Sequence, residues 1–402
     1  MRLFYGFGIR CFFTTMWLAS FFHPKAKKWI QGRRIKLSTY NIPKEKEVVW
    51  FHCASLGEFD QGLPVMNAYK NAFPKSFILV TFFSPSGMEN YHKRNHKVDL
   101  ALYLPLDTKI KANAFVKHFN PSTVFFVKYE FWYNHLKCAR RNGAKVYGIS
   151  SLFRPSHRFF KWYGGFFRKA LRFFDHFFTQ DERSKNLLNS IGINQVTVSG
   201  DTRYDRLEEV RNNCQPNTII QKFKGSEALI IFGSAWMVDL QSLLPAIEQL
   251  SKQMKILIAP HNIDEKHLSE IEELFPKQTI RYSQFNETNQ RILILDSIGQ
   301  LTNAYQYADF AYIGGGFTGN LHNILEPGVF GVPIFFGPHF SRFPEAELFI
   351  SQGVAFSVSN SDLLMDKLKT VNKEQIKQSL STIFESQSGA ALKIIQAVSR
   401  LH

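Results

Sequence analysis

The sequence contains few cysteines, and they do not form a recognisable binding motif. There are four, Cys11, Cys53, Cys138 and Cys214, and no two of them make a CxxC pair. This spacing excludes the usual cysteine-rich zinc sites and a disulfide framework. The simplest interpretation of each cysteine is a small buried hydrophobic residue, and a reduced, cytosolic location fits best.

The amino-terminal region lacks an apolar run long enough to span a membrane cleanly. Its uninterrupted weakly polar run covers residues 11–22, whereas a spanning helix needs about 20 apolar residues. A basic stretch around Trp29 follows, at Lys25, Lys27, Lys28, Arg33, Arg34 and Lys36. An apolar anchor before a basic, aromatic collar predicts that residues 1–36 associate with an anionic membrane surface. The alternatives are a secretory signal peptide, for which no small-x-small cleavage site is found, and a helix packed on the protein's own core.

Acidic residues are too few to balance the basic ones. The 402 residues include 49 Lys and Arg against 33 Asp and Glu, which gives a net charge of +16, and 40 residues are Phe. This excess favours anionic partners, namely a membrane face, phosphorylated substrates or nucleic acid. Low-complexity tracts and internal repeats are also absent from the sequence, and a hydrophobic content of 45% describes a folded protein.

The length and the pattern of apolar runs predict two domains, since one core rarely serves more than about 250 residues. Short apolar runs alternate with segments of helical period. The first series of predicted strands covers residues 48–53, 77–82, 100–104, 124–127, 146–149 and 176–179, and the second covers residues 229–232, 255–258, 292–295, 310–313, 333–336 and 354–358. Such alternation predicts two doubly wound α/β domains with parallel sheets. We place them at residues 37–205 and 206–402, with the last helix able to pack back on the first domain.

The stretch HCASLGEFDQG, residues 52–62, follows the first predicted strand and opens a helix over residues 60–73. Doubly wound domains bind ligands at the carboxyl ends of their strands. Glu58 in this position is a candidate general base. The alternative is that Glu58 or Asp60 only caps the helix, a common role of acidic residues at helix amino termini.

A second carboxylate follows a strand in VFFVKYEFWYN, residues 124–134. Glu130 comes directly after the apolar run, and Trp132 and Asn134 follow it. Two carboxylates at neighbouring strand ends could share one cleft, where one positions or polarises the other. The alternative is a helix-starting acid beside a packed tryptophan.

A glycine run marks the second predicted domain. Gly314, Gly315 and Gly316 follow a strand, and LHNILEP at residues 321–327 is expected to open a helix. Backbone amides in this region are candidates for holding a phosphate, and Glu326 is a candidate acceptor for ribose hydroxyls. Two further turns after strands, at residues 258–262 and 296–301, place Pro260 and His261 at the same edge.

Residues 153–178 combine basic and aromatic side chains. If they form one helix, Arg154, Arg158, Lys161, Arg168 and Arg172 share one face and the aromatic residues share the opposite face. The aromatic face is expected to be core, and the basic stripe would receive phosphates or remain solvated. Gly164 and Gly165 could break the helix and the stripe with it.

Taken together, these stretches resemble one known family, the 3-deoxy-D-manno-octulosonic acid (Kdo) transferases of lipopolysaccharide synthesis. The matching motifs are HxASxGE at residues 52–58, ExWxN at residues 130–134, GDTRYD at residues 200–205, and the glycine run with HNxLEP. The resemblance implies a GT-B type α/β fold, in which two Rossmann-like doubly wound domains face a cleft behind a membrane-associating segment.

The resemblance also implies an activity and its partners. The reaction would be an inverting, metal-independent transfer of Kdo from CMP-Kdo to a lipid A precursor, with no cofactor. The enzyme would work at the cytoplasmic face of the inner membrane, held peripherally or by its amino terminus on anionic lipid.

The family's functional positions carry over to particular residues of this chain. Glu58 matches the general base, and Glu130 and Arg203 match residues that assist the transition state. The matching donor-binding positions are Pro260, His261, Ile298, Gly299, Gln300, Gly315, Gly316, Asn323, Ile324, Leu325 and Glu326. Three positions depart from the family pattern, because Arg203 replaces a lysine, His261 an arginine and Gln300 a glutamate. Arg203 keeps the charge with a different hydrogen-bond geometry, whereas His261 reduces the positive charge near the CMP phosphate.

Two other functions stay open at this point. One is a GT-B glycosyltransferase that uses a UDP-sugar and a lipid-linked acceptor, which a donor-specificity assay would distinguish. The other is a non-catalytic peripheral membrane-binding protein, in which Glu58 would be dispensable. Nucleic acid is not an expected partner, because the basic residues lie beside Phe-rich segments and no nucleic-acid module is recognised.

Overall fold

The computed structural model describes residues 2–34, 36–43, 45–286 and 289–401. The chain forms two compact units. The first contains residues 1–206 and 387–402, and the second contains residues 207–386. Each unit is built on one parallel sheet of seven strands.

The first sheet contains all six strands predicted for it and one more. Its strands are β1 Val48–Cys53, β2 Phe77–Phe82, β3 Leu100–Tyr103, β4 Thr123–Val127, β5 Lys145–Ser151, β6 His176–Thr179 and β7 Val196–Val198. Their spatial order is β3-β2-β1-β4-β5-β6-β7, and all neighbours are parallel. The chain therefore reverses its direction of travel across the sheet between β1 and β4. In open α/β sheets, this switch point is where ligands bind.

Helices cover both faces of the first sheet. The helices of the first unit are α1 Arg2–Ala19, α2 Pro24–Gly32, α3 Leu56–Ala72, α4 Pro85–Asn90, α5 Lys109–Phe119, α6 Tyr133–Arg141, α7 Gly165–Leu171 and α8 Glu182–Asn189, with 3-10 turns at Leu37–Thr39, Tyr91–Lys93 and Arg158–Phe160. Helix α9, Thr202–Asn212, begins in the first unit and ends in the second. The side chains of β1 alternate between two cores. Val49 and Phe51 pack in the core that includes α3 residues, and Val48 and Trp50 pack in the core that includes α5 and α6 residues. Burial on both faces explains why this strand is a continuous apolar run.

The second sheet repeats the architecture. Its strands are β8 Leu229–Ala235, β9 Lys255–Pro260, β10 Thr279–Arg281, β11 Ile292–Ile294, β12 Phe310–Ile313, β13 Ile334–Phe336 and β14 Ala355–Ser357. Their order is β10-β11-β9-β8-β12-β13-β14, so its switch point lies between β8 and β12. The six predicted strands are present, and β10 is additional.

The helices of the second unit are mostly short. They are α10 Thr218–Lys224, α11 Met237–Ser242, α12 Leu244–Ser251, α13 Glu265–Leu274, α14 Leu301–Ala304, α15 Leu325–Gly328, α16 Pro344–Ser351, α17 Ser361–Thr370 and α18 Lys373–Gln387, with 3-10 turns at Tyr282–Gln284 and Tyr305–Tyr307. The helix expected to open at LHNILEP is therefore the single turn of α15.

The last helix, α19 Ala390–Leu401, belongs to the first unit. Its buried residues Ile394 and Val398 share the core of β1 and α3. Asp205, at the end of the GDTRYD motif, accepts a hydrogen bond from the Gly389 amide at 2.7 Å. The chain leaves the first unit after residue 206 and returns to it at residue 387, and the Asp205–Gly389 hydrogen bond joins these two segments.

Residues 153–178 do not form one helix. Arg158–Phe160 form a 3-10 turn and α7 begins only at Gly165, and a side chain at Gly164 would collide with the carbonyl of Arg158. The predicted basic stripe is therefore absent as a continuous helix face. Phe159 and Phe167 pack partly against the cores, as expected of the aromatic residues, whereas Tyr163 is 48% exposed.

Helix α1 has one face on the protein and one face exposed. The Tyr5 hydroxyl donates to Asp107 Oδ2 at 2.6 Å, and Ile9 is buried. Phe4 in the helix and Phe7 one turn later are 78% and 66% exposed. Within the described ranges, no helix combines the length and the apolar character needed to cross a membrane.

Two residues of the predicted basic collar are not at the surface. Trp29 and Arg33 are 3% and 8% exposed. The Arg33 guanidinium stacks over the Trp29 ring at 3.7 Å and donates to the Phe83 carbonyl at 2.7 Å. Burial lowers the pKa of Arg33 to about 9. These two side chains hold α2 on the first unit, and the prediction that they meet a membrane is wrong.

Candidate active site

Glu58 lies at the carboxyl end of β1, in the first turn of α3. Its side chain is only 8% exposed, and its Oε2 accepts a hydrogen bond from the Ala54 amide. The carboxylate thus reaches back to an amide that precedes the N-cap residue Ser55. Asp60 does not cap, because it forms a paired ion contact with Arg94.

Capping alone does not explain the electrostatics of Glu58. Burial raises the pKa of Glu58 to about 7, against a lowering contribution from the Ala54 hydrogen bond. The charge of Glu130 raises this pKa further, and that of Lys128 lowers it. A buried carboxyl that titrates near neutrality can accept a proton at physiological pH, as a general base must.

Glu130 follows β4, the strand that pairs with β1 across the switch point. It is half-buried, and burial raises its pKa as well. The two predicted carboxylates therefore follow adjacent strands, and the charge of Glu130 acts on the pKa of Glu58. Between them in the sequence, Lys128 has a left-handed backbone with φ 63°. Such strain in a non-glycine residue is concentrated at functional sites.

His52 and Trp132 connect the two carboxylate segments. The indole Nε1–H of Trp132 donates to His52 Nε2 at 3.1 Å. His52 must then carry its proton on Nδ1, which lies 2.9 Å from the Thr81 hydroxyl. Burial lowers the pKa of His52 to about 3, so the imidazole stays neutral. The HxASxGE histidine therefore positions the tryptophan of ExWxN.

We expect a double-mutant cycle to detect this contact. His52→Leu and Trp132→Phe each leave one buried polar group unpaired, which costs about 1–3 kcal/mol. The double variant removes both partners, so its loss of stability is expected to be smaller than the sum by about 1 kcal/mol or more. Denaturant unfolding of the four proteins measures the coupling, and strictly additive losses would contradict the contact.

Asn134 is hydrogen-bonded to the buried residue Asp107 and has a structural role. Its backbone N–H donates to Asp107 Oδ2 at 2.9 Å, and the His135 ring lies 2.7 Å from Asp107 Oδ1. Burial acts to raise the pKa of Asp107, but the hydrogen bonds from His135 and Tyr5 outweigh it and the pKa lies below its usual value. This buried carboxylate ties α1 to the start of α6, so Asn134 holds the loop that presents Glu130.

The GDTRYD motif anchors Arg203 in the first unit. The guanidinium Nε of Arg203 donates to Asp201 at 2.8 Å. The neighbouring Thr202 hydroxyl donates to the carbonyl of Gln61 in α3 at 2.7 Å. Arg203 is thus held by its own motif and joined through Thr202 to the helix that carries Glu58.

In the second unit, a carboxylate of the protein itself accepts a hydrogen bond from the glycine run. Asp239 is fully buried and accepts hydrogen bonds from the amides of Gly315 and Trp236, both at 2.9 Å. The Gly314 amide donates to the Gly233 carbonyl. The amides of Gly314 and Gly315 are therefore not available to a phosphate, contrary to prediction. A side chain at Gly316 would collide with the backbone of Gly337, so this glycine permits two chain segments to approach.

His261 lies in an aromatic stack at the same switch point. Its ring lies parallel to Trp236, 4.2 Å between centroids, and contacts His322 at 4.7 Å. The Trp236 indole N–H donates to His322 Nε2 at 3.2 Å. Burial and His261 lower the pKa of His322 to about 4, and burial lowers that of the more exposed His261 as well. Pro260, the last residue of β9, leads into this stack.

Glu326 joins the remaining predicted donor positions. Its two carboxylate oxygens accept hydrogen bonds from Thr302 at 2.8 Å and Asn323 at 3.1 Å. These two contacts orient the carboxylate, whose oxygens are hydrogen-bond acceptors.

The other predicted donor positions differ in exposure. Ile324 and Leu325 are 1% and 0% exposed, so only their main chain could contact a ligand. By contrast, Ile298 is 76% exposed, Gly299 is left-handed with φ 89°, and Gln300 is the N-cap residue of α14.

Three residues of these sites were not singled out by sequence reasoning. Lys128 could have been noticed as the only charged residue between β4 and Glu130. Trp236 and Asp239 follow β8, the strand beside the switch point, and that location was the available signal. Their contacts with residues 315 and 322 link segments far apart in the sequence, which no local pattern reveals.

Comparison with known proteins defines both the fold and the family. A family model described as 3-deoxy-D-manno-octulosonic-acid transferase (kdotransferase) matches residues 31–206. A 3-deoxy-D-manno-octulosonic acid transferase of Chlamydophila psittaci is 30% identical over 357 residues, covering 86% of this chain and 82% of the relative. One of Aquifex aeolicus is 25% identical over 343 residues, covering 81% and 88%. Among solved structures, UDP-GlcNAc 2-epimerase from Neisseria meningitidis superposes with a TM-score of 0.65 at 16% identity, covering 88% of this chain and 100% of that one.

The two parallel seven-stranded sheets and this structural likeness define a GT-B-like α/β fold. The chain belongs to the family of Kdo transferases, the glycosyltransferases that transfer 3-deoxy-D-manno-octulosonic acid in lipopolysaccharide synthesis.

Proposed function

We propose that the protein transfers Kdo from CMP-Kdo to a lipid A precursor of the lipid IVA type, with inversion and without a metal ion. The observation that carries the proposal is Glu58. It is a buried carboxyl with a pKa near 7, it lies at the switch point of the first sheet, and it stands in the family's HxASxGE motif. Glu130 lies across the switch point, and its charge helps to raise the pKa of Glu58, the group that would accept the proton.

The proposed step moves one proton and exchanges one bond. The acceptor hydroxyl oxygen attacks the anomeric carbon of Kdo as its proton passes to Glu58. The bond from that carbon to the CMP phosphate oxygen breaks, and CMP leaves with the electron pair. Since CMP is a good leaving group, the main tasks are proton removal and orientation of two anionic substrates. Glu130 and Arg203 would assist the transition state.

We propose that the second unit holds CMP-Kdo. The Glu326 carboxylate, fixed by Thr302 and Asn323, would accept ribose hydroxyls. The exposed turn at Ile298, Gly299 and Gln300 would cover the nucleotide. His261, stacked on Trp236, would lie near the phosphate with Pro260. Because Gly315 binds Asp239, Gly315 and Gly316 would shape this site through their close packing.

We propose further that the protein acts on the cytoplasmic face of the inner membrane. The outer face of α1 exposes Phe4 and Phe7, and Phe22 is exposed just after the helix. Large exposed aromatic side chains mark lipid or protein contacts. A net charge of +16 suits anionic lipid and a bisphosphorylated acceptor.

The decisive experiment incubates the purified protein with CMP-Kdo and a tetraacylated lipid A precursor in detergent with a chelator, and follows the products by mass spectrometry. Wild type is expected to give a Kdo-bearing product whose mass counts the sugars. Glu58→Ala is expected to give less than about one hundredth of that product. Circular dichroism of the variant is the control for correct folding.

Other results would point elsewhere. Product from a UDP-sugar but not from CMP-Kdo would indicate a different GT-B glycosyltransferase. No product from any donor, with folded protein that still binds vesicles, would favour a non-catalytic membrane protein. Product that disappears with the chelator would contradict the metal-independent mechanism.

A further inference from the structure

The first unit contains an apolar cavity of about 620 Å³ beside Glu130. One wall is the inner face of α1, with Tyr5, Ile9 and Phe12. The opposite wall comes from the 3-10 turn and α7, with Phe159, Phe167 and Ala170. Neither the proton transfer nor donor binding accounts for this space.

Most of the side chains that line the cavity around Glu130 are aromatic. Phe131 and Trp132 flank Glu130 in the lining, and Trp132 is stacked on Phe83 at 4.9 Å. The Trp132 indole N–H is already donated to His52. The lining is mainly aromatic and aliphatic, and its polar members are Tyr5, Tyr129, Glu130, Ser156, His157 and Arg158. A mainly apolar lining with a few polar groups suits an aliphatic chain that carries a polar headgroup.

The chain segments that form both walls also carry exposed aromatic side chains. On α1, Phe4 and Phe7 are 78% and 66% exposed. On the other wall, Trp162 is 92% and Tyr163 48% exposed, directly after the 3-10 turn. Aromatic side chains of this kind sit at membrane interfaces, where one side is apolar and the other is wet. A lipid chain could therefore pass from a bilayer into the cavity along apolar surface.

The charge of the two walls is complementary to a phosphorylated lipid. Residues 1–44 contain no Asp or Glu, and neither do residues 131–174. The cavity lining includes Arg158, whose guanidinium lies 5.5 Å from the centroid of the Phe167 ring. Cations around an apolar slot are expected where an acyl chain enters and its anionic headgroup stays outside.

We propose that this cavity binds one acyl chain of the acceptor glycolipid and so selects acceptors by acyl-chain length. The proposal rests on the proposed function for the identity of the lipid. Because Glu130 is part of the lining, a chain seated in the cavity fixes the acceptor sugar beside the two carboxylates. Ile9, on the inner face of α1, is a specificity-determining residue.

The test compares two acceptors with the same bisphosphorylated sugar headgroup in detergent, one with full-length chains and one with each chain about four methylenes shorter. Burying one methylene group strengthens binding about fourfold. Wild type is therefore expected to prefer the acceptor with the longer chains by up to about two hundredfold in kcat/KM. Ile9→Phe fills part of the cavity and is expected to reduce this preference at least tenfold.

A matched control makes the same substitution outside the cavity. Ile110 lies on α5 of the same unit and is 82% exposed. Ile110→Phe is expected to keep the wild-type preference. An unchanged preference in folded Ile9→Phe, or an equal loss in Ile110→Phe, would overturn the proposal.

A second measurement does not depend on turnover or on one variant. The full-length acceptor, carrying a diazirine in the middle of one acyl chain, is photolysed with wild-type protein, and the adducts are mapped by mass spectrometry. Adducts are expected at lining residues of the cavity, namely Tyr5, Ile9, Phe12, Phe159, Phe167 or Ala170. Adducts confined to Phe4, Phe7 or other parts of the chain would refute the cavity site. Adducts in the cavity without Kdo transfer would leave the cavity site standing and reject the proposed function.

Discussion

Glu58→Gln is expected to lower turnover by about 10²–10⁴-fold, the usual range for loss of a general base, while making the folded protein more stable at pH 8. Glutamine can accept the same hydrogen bond from the Ala54 amide, but it cannot take the proton of the acceptor hydroxyl. The backbone around α3 is therefore expected to remain in place.

The gain in stability follows from the direction of the pKa shift. Burial raises the pKa of Glu58 from 4.5 to about 7, so the folded protein binds this proton more tightly than the unfolded chain. Stability then falls as pH rises from 4.5 towards 7, and the whole penalty is present above that. Its size is on the order of 3 kcal/mol. Glu58→Gln removes the penalty, so its unfolding midpoint is expected to exceed that of wild type at pH 8 and to match it near pH 4.

The pH dependence of kcat/KM is an independent test of the role of Glu58. The wild-type kcat/KM is expected to rise about tenfold per pH unit below pH 7 and to level off above, because only the ionised carboxylate accepts a proton. Asp60→Asn is the matched control, since Asp60 lies in the same helix and pairs with Arg94 at 2.7 Å. It is expected to keep its turnover and to lose up to about 1 kcal/mol of stability. A Glu58→Gln protein that is active, or less stable at pH 8, would contradict the assignment.

The fold was predictable wherever a strand is buried on both faces. Strands such as β1 and β2 are continuous apolar runs because helices cover both sides of the sheet. The two additional strands, β7 and β10, have three residues each at a sheet edge, and none of these residues is fully buried. Their partly polar sequences carry no comparable signal.

The site was predictable where chemistry coincides with a strand end. Glu58 and Glu130 each follow a buried run, and the pairing of β1 with β4 brings them to one switch point. The glycine run was misjudged for a physical reason. Its position after β12 indicated a phosphate site, but whether the amides were available depended on Asp239, which lies 76 residues from Gly315 in the chain.

Asp239→Ala is expected to cause the largest loss of stability among the changes considered for the second unit. The fully buried carboxylate accepts hydrogen bonds from the Gly315 amide at 2.9 Å and the Tyr312 hydroxyl at 3.0 Å, besides that from Trp236. Alanine would leave these buried donors unpaired, at about 1–3 kcal/mol each. Denaturant unfolding is expected to show a loss on the order of 3–5 kcal/mol, and hydrogen exchange at residues 314–317 is expected to rise.

Tyr312→Phe provides the control, because it removes one of the hydrogen bonds and leaves the carboxylate paired with both amides. It is expected to cost about 1 kcal/mol and to leave CMP affinity in calorimetry unchanged. Asp239→Ala is expected to weaken CMP binding at least tenfold in protein that is still folded, because Asp239 links the Trp236 segment to the glycine turn. Full CMP affinity in folded Asp239→Ala would show that the donor does not depend on this turn. The donor site would then have to be sought around Glu326 and the exposed turn at Gly299 alone.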